Sequence, residues 1–194
     1  FCTMYPEYVN KLISISSGYK LSTLQTLHNL EQAYILDLGR ESNNRNSEYL
    51  SLARMVAHKT YISLELLSNR AKSETLYDDG LIKGFLSTPQ ESYMMHQGEK
   101  FIERFTPESY LSIIKGWQNF KIEQEDLNKL KDIETLVISV DSDVCFYPDE
   151  QKDFLAVLNN HEINTKYTTI NSTKGHDSFL LEPELFEDTL KNFL

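Results

Sequence analysis

Apolar positions along this chain change period near residue 120. Before that point they recur at helical spacing. Leu24, Leu27, Leu30 and Tyr34 follow Ser22 about one turn apart, which predicts a helix capped by that serine. The polar string Glu41–Ser47 predicts a loop. Glu48–Ser63 predicts a second helix, with Leu52, Met55, Val56 and Lys59 on adjacent turns. Asp78–Gly84 reads as another loop. Thr88-Pro89 and Thr106-Pro107 each place a capping hydroxyl before a proline at the first helical position. They predict helices running to about Phe105 and through Phe120.

Beyond residue 120 the pattern alternates. Glu125–Lys131 predicts a short amphipathic helix and Pro148–His161 a longer one. Between them Thr135–Val140 (TLVISV) is a continuous apolar run of the kind a buried parallel strand needs. Asn164–Ile170 (NTKYTTI) alternates like a strand near a sheet edge, and Pro183–Leu194 closes the chain as a helix. At the start, Lys11–Ser16 (KLISIS) is a β-branched run followed by Gly18, hence a strand entering a turn. Phe1–Tyr8 reads as the tail of a helix ended near Pro6. The expected class is α/β: a mostly parallel sheet carrying a helical cap insertion. Three segments are expected, with 1–19 and 121–194 forming the core and 20–120 the cap.

Composition narrows the partners. A net charge of −10 argues against nucleic acid or an anionic membrane, both of which need clustered Lys and Arg. No apolar run approaches the roughly 20 residues of a bilayer span. Two cysteines, Cys2 and Cys145, are too few for a disulfide framework and fit a reducing cytoplasm. His28, His96 and His161 have no grouped ligand partners, so no metal is expected. The chain opens Phe-Cys-Thr-Met, without an initiator methionine or a secretory signal, and is expected to be cut from a longer polypeptide.

Two loops carry the chemistry. Asp141–Pro148 follows the TLVISV strand, and Ser172–Leu180 follows the last strand. Open α/β sheets place ligands at such strand ends. A carboxylate on one loop and His176 on the other would make an acid–base pair, the acid fixing the imidazole tautomer. Asp143 and Asp141 both qualify as the acid. An aspartate at a strand end is more often a turn former than a catalytic acid, and the residues by themselves leave the two open. Gly175 would allow a tight turn before the histidine. The order acid then base is that of a Ser–Asp–His triad on this fold, yet the chain holds no G-x-S-x-G.

Several segments resemble homoserine O-acetyltransferases, in the family's order: Tyr5–Gly18 (YPEYVNKLISISSG), Leu52–Ser63 (LARMVAHKTYIS), Gln97–Leu111 (QGEKFIERFTPESYL), Leu136–Pro148 (LVISVDSDVCFYP) and Gly175–Glu182 (GHDSFLLE). The resemblance implies the C-terminal half of an α/β-hydrolase-fold acyltransferase that acetylates homoserine from acetyl-CoA in methionine biosynthesis. It implies Asp143 and His176 as triad acid and base, with the serine upstream. It implies Arg54 for the substrate carboxylate, Asp177 for its amino group and Tyr61 as a pocket residue. A homodimer through the cap helices, with acetyl-CoA as co-substrate and no bound cofactor, is also implied. The chain departs from the family in lacking the nucleophile and oxyanion loop, in a shorter stretch between Leu36 and Tyr49, and in Val144-Cys145 before Phe146.

Blander readings stand beside these. Arg54 on a helix is by default an ion-paired surface residue, Tyr61 a core residue and His58 a satisfied helix histidine. Cys145 reads as a buried, inert thiol. An esterase or deacetylase on the same fold, or a remnant without catalysis, are the competing functions. The esterase would have no need of Arg54 and Asp177.

Overall fold

The computed structural model describes residues 1–41, 46–71 and 88–194. Along the chain these form β1 (Lys11–Ile15), α1 (Thr23–Arg40), α2 (Asn46–Tyr61), α3 (Leu64–Arg70), α4 (Pro89–Ile102), α5 (Pro107–Gln118), α6 (Gln124–Leu127), β2 (Glu134–Val140), α7 (Pro148–Asn160), β3 (Thr165–Ile170), α8 (Ser178–Leu181) and α9 (Glu184–Phe193). Short 3-10 turns lie at Pro6–Tyr8, Asn128–Leu130 and Gly175–Asp177. The loop expected at Asp78–Gly84 lies outside the described residues, as do positions 42–45 of the Glu41–Ser47 loop.

The chain divides into two units. The first contains Phe1–Ser22, Tyr61–Ser63 and Phe120–Leu194, and its framework is a parallel sheet in the order β1-β2-β3. Ile13 pairs with Leu136 and Val137 with Tyr167, which puts β2 in the middle. The apolar run of β2 is what a strand covered on both faces requires. Val137 packs with Leu127, Leu130, Phe154 and Leu158 on one side. Leu136, Ile138 and Val140 pack with Phe186 and Phe193 of α9 on the other. β3 is the edge strand its alternating sequence predicts. The chain leaves this unit past Lys20 and returns at Lys121. Those two residues form an antiparallel bridge, and Ile122 N–H donates to Tyr19 O at 2.7 Å.

The second unit, Thr23–Thr60 and Leu64–Asn119, is helical where described. Thr88 and Thr106 both form capping boxes, with Glu91 and Ser109, so the Thr-Pro signals mark the starts of α4 and α5 as predicted. The core gathers Leu36, Leu50, Ala53, Phe101, Tyr110 and Ile114. Gly98 lets α4 close on α2: a Cβ there would fall 2.1 Å from Ser51 Oγ.

Three expectations need correction. Phe1–Tyr8 holds a turn and a single 3-10 turn, with Met4 and Tyr5 N–H both bonded to Phe1 O, and is not the tail of an α-helix. Glu125–Lys131 is split between α6 and a 3-10 turn. In α1 the helix is as predicted but its inward face is not. Leu24, Leu27, Leu30 and Tyr34 are exposed, whereas Gln25, Asn29, Gln32 and Leu36 are buried. Tyr110 on α5 explains part of this, because its hydroxyl donates to Gln32 Oε1 and makes a buried amide tolerable.

Candidate active site

β2 ends at Val140 and the chain turns at once, with Asp143 N–H donating to Val140 O at 3.1 Å. That turn sinks the Asp143 carboxylate to 1% exposure. A buried carboxylate needs partners for each oxygen. Oδ1 accepts from the N–H groups of Cys145 and Phe146 at 2.7 and 2.8 Å. Oδ2 lies 3.0 Å from His176 Nδ1. The backbone therefore fixes the orientation of the carboxylate, and the carboxylate fixes which imidazole nitrogen carries the proton.

His176 arrives from β3 through the 3-10 turn Gly175–Asp177. Gly175 has φ of +79°, and a Cβ there would sit 2.5 Å from Ser63 N and 2.8 Å from Ile62 C. Both the backbone conformation and the space demand glycine. Three rings then hold the imidazole. Phe146 stacks on it at 5.5 Å and 24°, Phe179 meets it edge-on at 5.6 Å, and Tyr61 lies 6.4 Å away between centroids.

Small polar side chains join the acid loop to the base loop. Ser142 Oγ accepts from Gly175 N–H at 3.0 Å and donates to Ser172 O. Asp141 Oδ1 accepts from Ser172 N–H at 2.9 Å. Ser178 Oγ donates to Gly175 O, and Ser63 Oγ to Thr173 O. Asp141 thus clamps the base loop, while Asp143 meets the histidine. Of the residues singled out in the sequence, Asp143, His176 and Tyr61 come together here. Asp177 is the next residue after the histidine and occupies the position before α8, without a side-chain capping bond to that helix. Arg54 stands in the helical unit on α2, against His58 and Phe101.

Sequence reasoning missed Phe146, Phe179 and Ser142. Each lies within three residues of Asp143 or His176, and that adjacency is the signal that could have found them. Cys145 is buried, as read. Among the described residues, no group of three or more His, Cys, Asp or Glu side chains could hold a metal ion. No described helix is long and apolar enough to cross a membrane.

A buried carboxylate bonded to a histidine, each on a loop leaving the end of a parallel strand, has the arrangement and chain order that acid and base take in α/β-hydrolase sites. Solved structures agree on the fold. A homoserine O-acetyltransferase from Bacillus anthracis superposes with a TM-score of 0.84 over 99% of this chain and 55% of that one, at 15% identity. Esterase E22 does so with a TM-score of 0.84 over 99% of this chain and 56% of that one, at 14% identity.

The sequence goes further than the fold. Homoserine O-acetyltransferases from Methanobrevibacter ruminantium and Methanosalsum zhilinae are 37% and 34% identical to it, each over 98% of the chain. One from Pelagibacter ubique is 32% identical over 86% of the chain. No protein-family model matches. The chain belongs to the homoserine O-acetyltransferase family. It spans 41% of the length of the first two relatives and 51% of the third.

Proposed function

We propose that this chain supplies the acid, the base and the amino-acid clamp of an enzyme that moves an acetyl group from acetyl-CoA to the hydroxyl of homoserine. The observation that carries this reading is the 3.0 Å contact between Asp143 Oδ2 and His176 Nδ1, with Oδ1 already held by two backbone N–H groups. The nucleophile would be a serine in polypeptide preceding these residues. Triad order and the share of the relatives' length covered both support that placement.

The chemistry runs in two acyl transfers. His176 Nε2 takes the proton of the serine hydroxyl as its oxygen attacks the thioester carbonyl. The C–S bond breaks, and the CoA thiolate leaves with that proton. His176 next takes the proton of the homoserine hydroxyl as that oxygen attacks the acetyl-serine ester. The C–O bond to serine breaks, and the proton returns to the serine. Asp143 stabilises the imidazolium in both halves. Arg54 would bind the homoserine carboxylate through a charge-assisted pair, Asp177 its ammonium, and Tyr61 would line the pocket. Acetyl-CoA is then a co-substrate, and the reaction calls for no resident cofactor. Methionine biosynthesis in the cytoplasm is the setting this chemistry fits.

Two copies would associate through their cap helices. The row Leu24, Leu27, Leu30, Tyr34 and Leu38, exposed along α1, supports that arrangement.

The test uses the full protein that contains these residues. Acetyl-CoA plus homoserine should release CoA and form O-acetylhomoserine, and His176→Ala should abolish both. Steady release of acetate with no acetylated amino acid would replace the transferase reading with an esterase one.

A further inference from the structure

Arg54 does not stand alone on α2. Its Nη2 lies 3.4 Å from Nδ1 of His58, one turn along the same helix. The other nitrogen of that ring, Nε2, lies 3.3 Å from the hydroxyl of Tyr93 on α4. The guanidinium also sits over the Phe101 ring, 5.0 Å from its centroid, and Phe101 too belongs to α4. The two helices are pressed together at Gly98 and Ser51, between the α4 residues Tyr93 and Phe101 that make these contacts.

A guanidinium has no acceptor, so the His58 nitrogen facing it must be unprotonated. The proton then lies on Nε2 and points at the Tyr93 oxygen. Burial, then the charges of Arg54 and Arg70, push the His58 pKa down from 6.5 to about 4, which keeps the ring in this neutral form. His58 is itself buried.

We infer that His58 and Tyr93 are positioning residues, which hold the Arg54 guanidinium in one orientation before an amino-acid carboxylate arrives and thereby set the affinity for the acyl acceptor. This rests on the reading of Arg54 as the carboxylate-binding residue. Arginine side chains lose substantial rotamer freedom when fixed, and a guanidinium already fixed loses less on binding. Phe101 restrains the plane of the guanidinium from its face, and His58 engages one of its nitrogens. Neither touches the acyl donor in this scheme, so the effect belongs to the acceptor alone.

The experiment measures both Michaelis constants in the full protein for Arg54→Ala, His58→Leu, His58→Asn, Tyr93→Phe and the Arg54→Ala/His58→Leu pair. His58→Leu should raise the homoserine KM about ten-fold, the scale of one hydrogen bond to a charged group, with the acetyl-CoA KM unmoved. His58→Asn should recover most of the loss, because its Oδ1 can accept where Nδ1 did. Tyr93→Phe should give a smaller rise of the same kind. In the Arg54→Ala background His58→Leu should add nothing further. A normal homoserine KM in both His58→Leu and Tyr93→Phe, with a raised one in Arg54→Ala, overturns the inference and leaves the clamp intact. An unmoved homoserine KM in Arg54→Ala overturns the clamp reading and the inference with it. Additive effects in the double variant also overturn the inference, since His58 would then act independently. Should His58→Leu fail to fold, nitrogen NMR of the imidazole decides. The Nε2–H tautomer at neutral pH supports the arrangement, and an imidazolium or the Nδ1–H tautomer refutes it.

Discussion

The carboxylate of Asp143 divides its two oxygens between the backbone and His176. One accepts from the amides of Cys145 and Phe146, and the other stands 3.0 Å from the imidazole Nδ1. Replacing it by asparagine can keep the backbone bonds through the amide oxygen. The amide nitrogen would then face Nδ1 as a donor and favour the wrong tautomer. In the full protein Asp143→Asn should therefore lower kcat by roughly 10³–10⁴-fold while leaving the melting temperature nearly unchanged. Wild-type turnover in that variant would remove Asp143 from the triad.

On the proposed clamp, Arg54→Ala would remove a charge-assisted contact to the acceptor carboxylate, worth about 1.5–3 kcal/mol. The homoserine KM should rise by roughly 10–150-fold and the acetyl-CoA KM should stay put. Equal shifts in both constants would make Arg54 a structural residue.

Gly175→Ala should destabilise the sheet unit. The left-handed backbone alone is worth about 1–3 kcal/mol, and the approach of Ser63 N to within 2.5 Å adds a clash that backbone cannot easily relieve. Urea unfolding is the measurement. A midpoint equal to wild type would mean that the loop can re-form around a Cβ.

His58 couples folding to pH. Its folded pKa is about 4, against about 6.5 when unfolded. The unfolded chain therefore takes up a proton first as pH falls. This contribution to stability is fully present above pH 6.5, declines between 6.5 and 4, and is lost by pH 4. A His58→Leu variant that folds should lose less stability than wild type over that window, as read by melting temperature. Parallel pH curves for the two proteins would contradict a depressed His58 pKa.

The 194 residues alone should release no CoA from acetyl-CoA and homoserine, since an acid–base pair without its nucleophile has nothing to acylate. Turnover that survives in this chain and vanishes in His176→Ala would reveal a nucleophile among these residues.

The legible parts of the fold were those where local chemistry and tertiary context agree. TLVISV is a short, β-branched apolar run that reads as a doubly covered strand, and β2 is one, while Thr-Pro can cap a helix whatever surrounds it. The two strand-end loops followed from those strands, which put Asp143 and His176 within reach of inference. The choice between Asp141 and Asp143 depended on resemblance, because both follow β2 and only the turn at Val140 decides which one sinks. The buried face of α1 was illegible for a different reason. Helical spacing locates the apolar stripe, but Gln32 is buried because Tyr110, far along the chain, completes its hydrogen bonding. The contact between Arg54 and His58 could have been read from their spacing of four. Its extension to Tyr93 could not, since it depends on where α4 packs.

The pairing of Ile13 with Leu136 has a kinetic side. The two residues are roughly 120 positions apart, and a parallel pairing of such span must close a long loop before it gains anything in return. Most of the intervening residues belong to the helical unit, in which α1, the first helix, packs against α5, the last. During synthesis from the N-terminus β1 emerges first but has no β2 to pair with until the whole helical stretch has been made. The helical unit can already be organised by then, so the excursion from Lys20 to Lys121 would be shortened before the sheet closes. The bridge between those two lysines would then be an early clasp, delivering β2 to a strand that has been waiting for it.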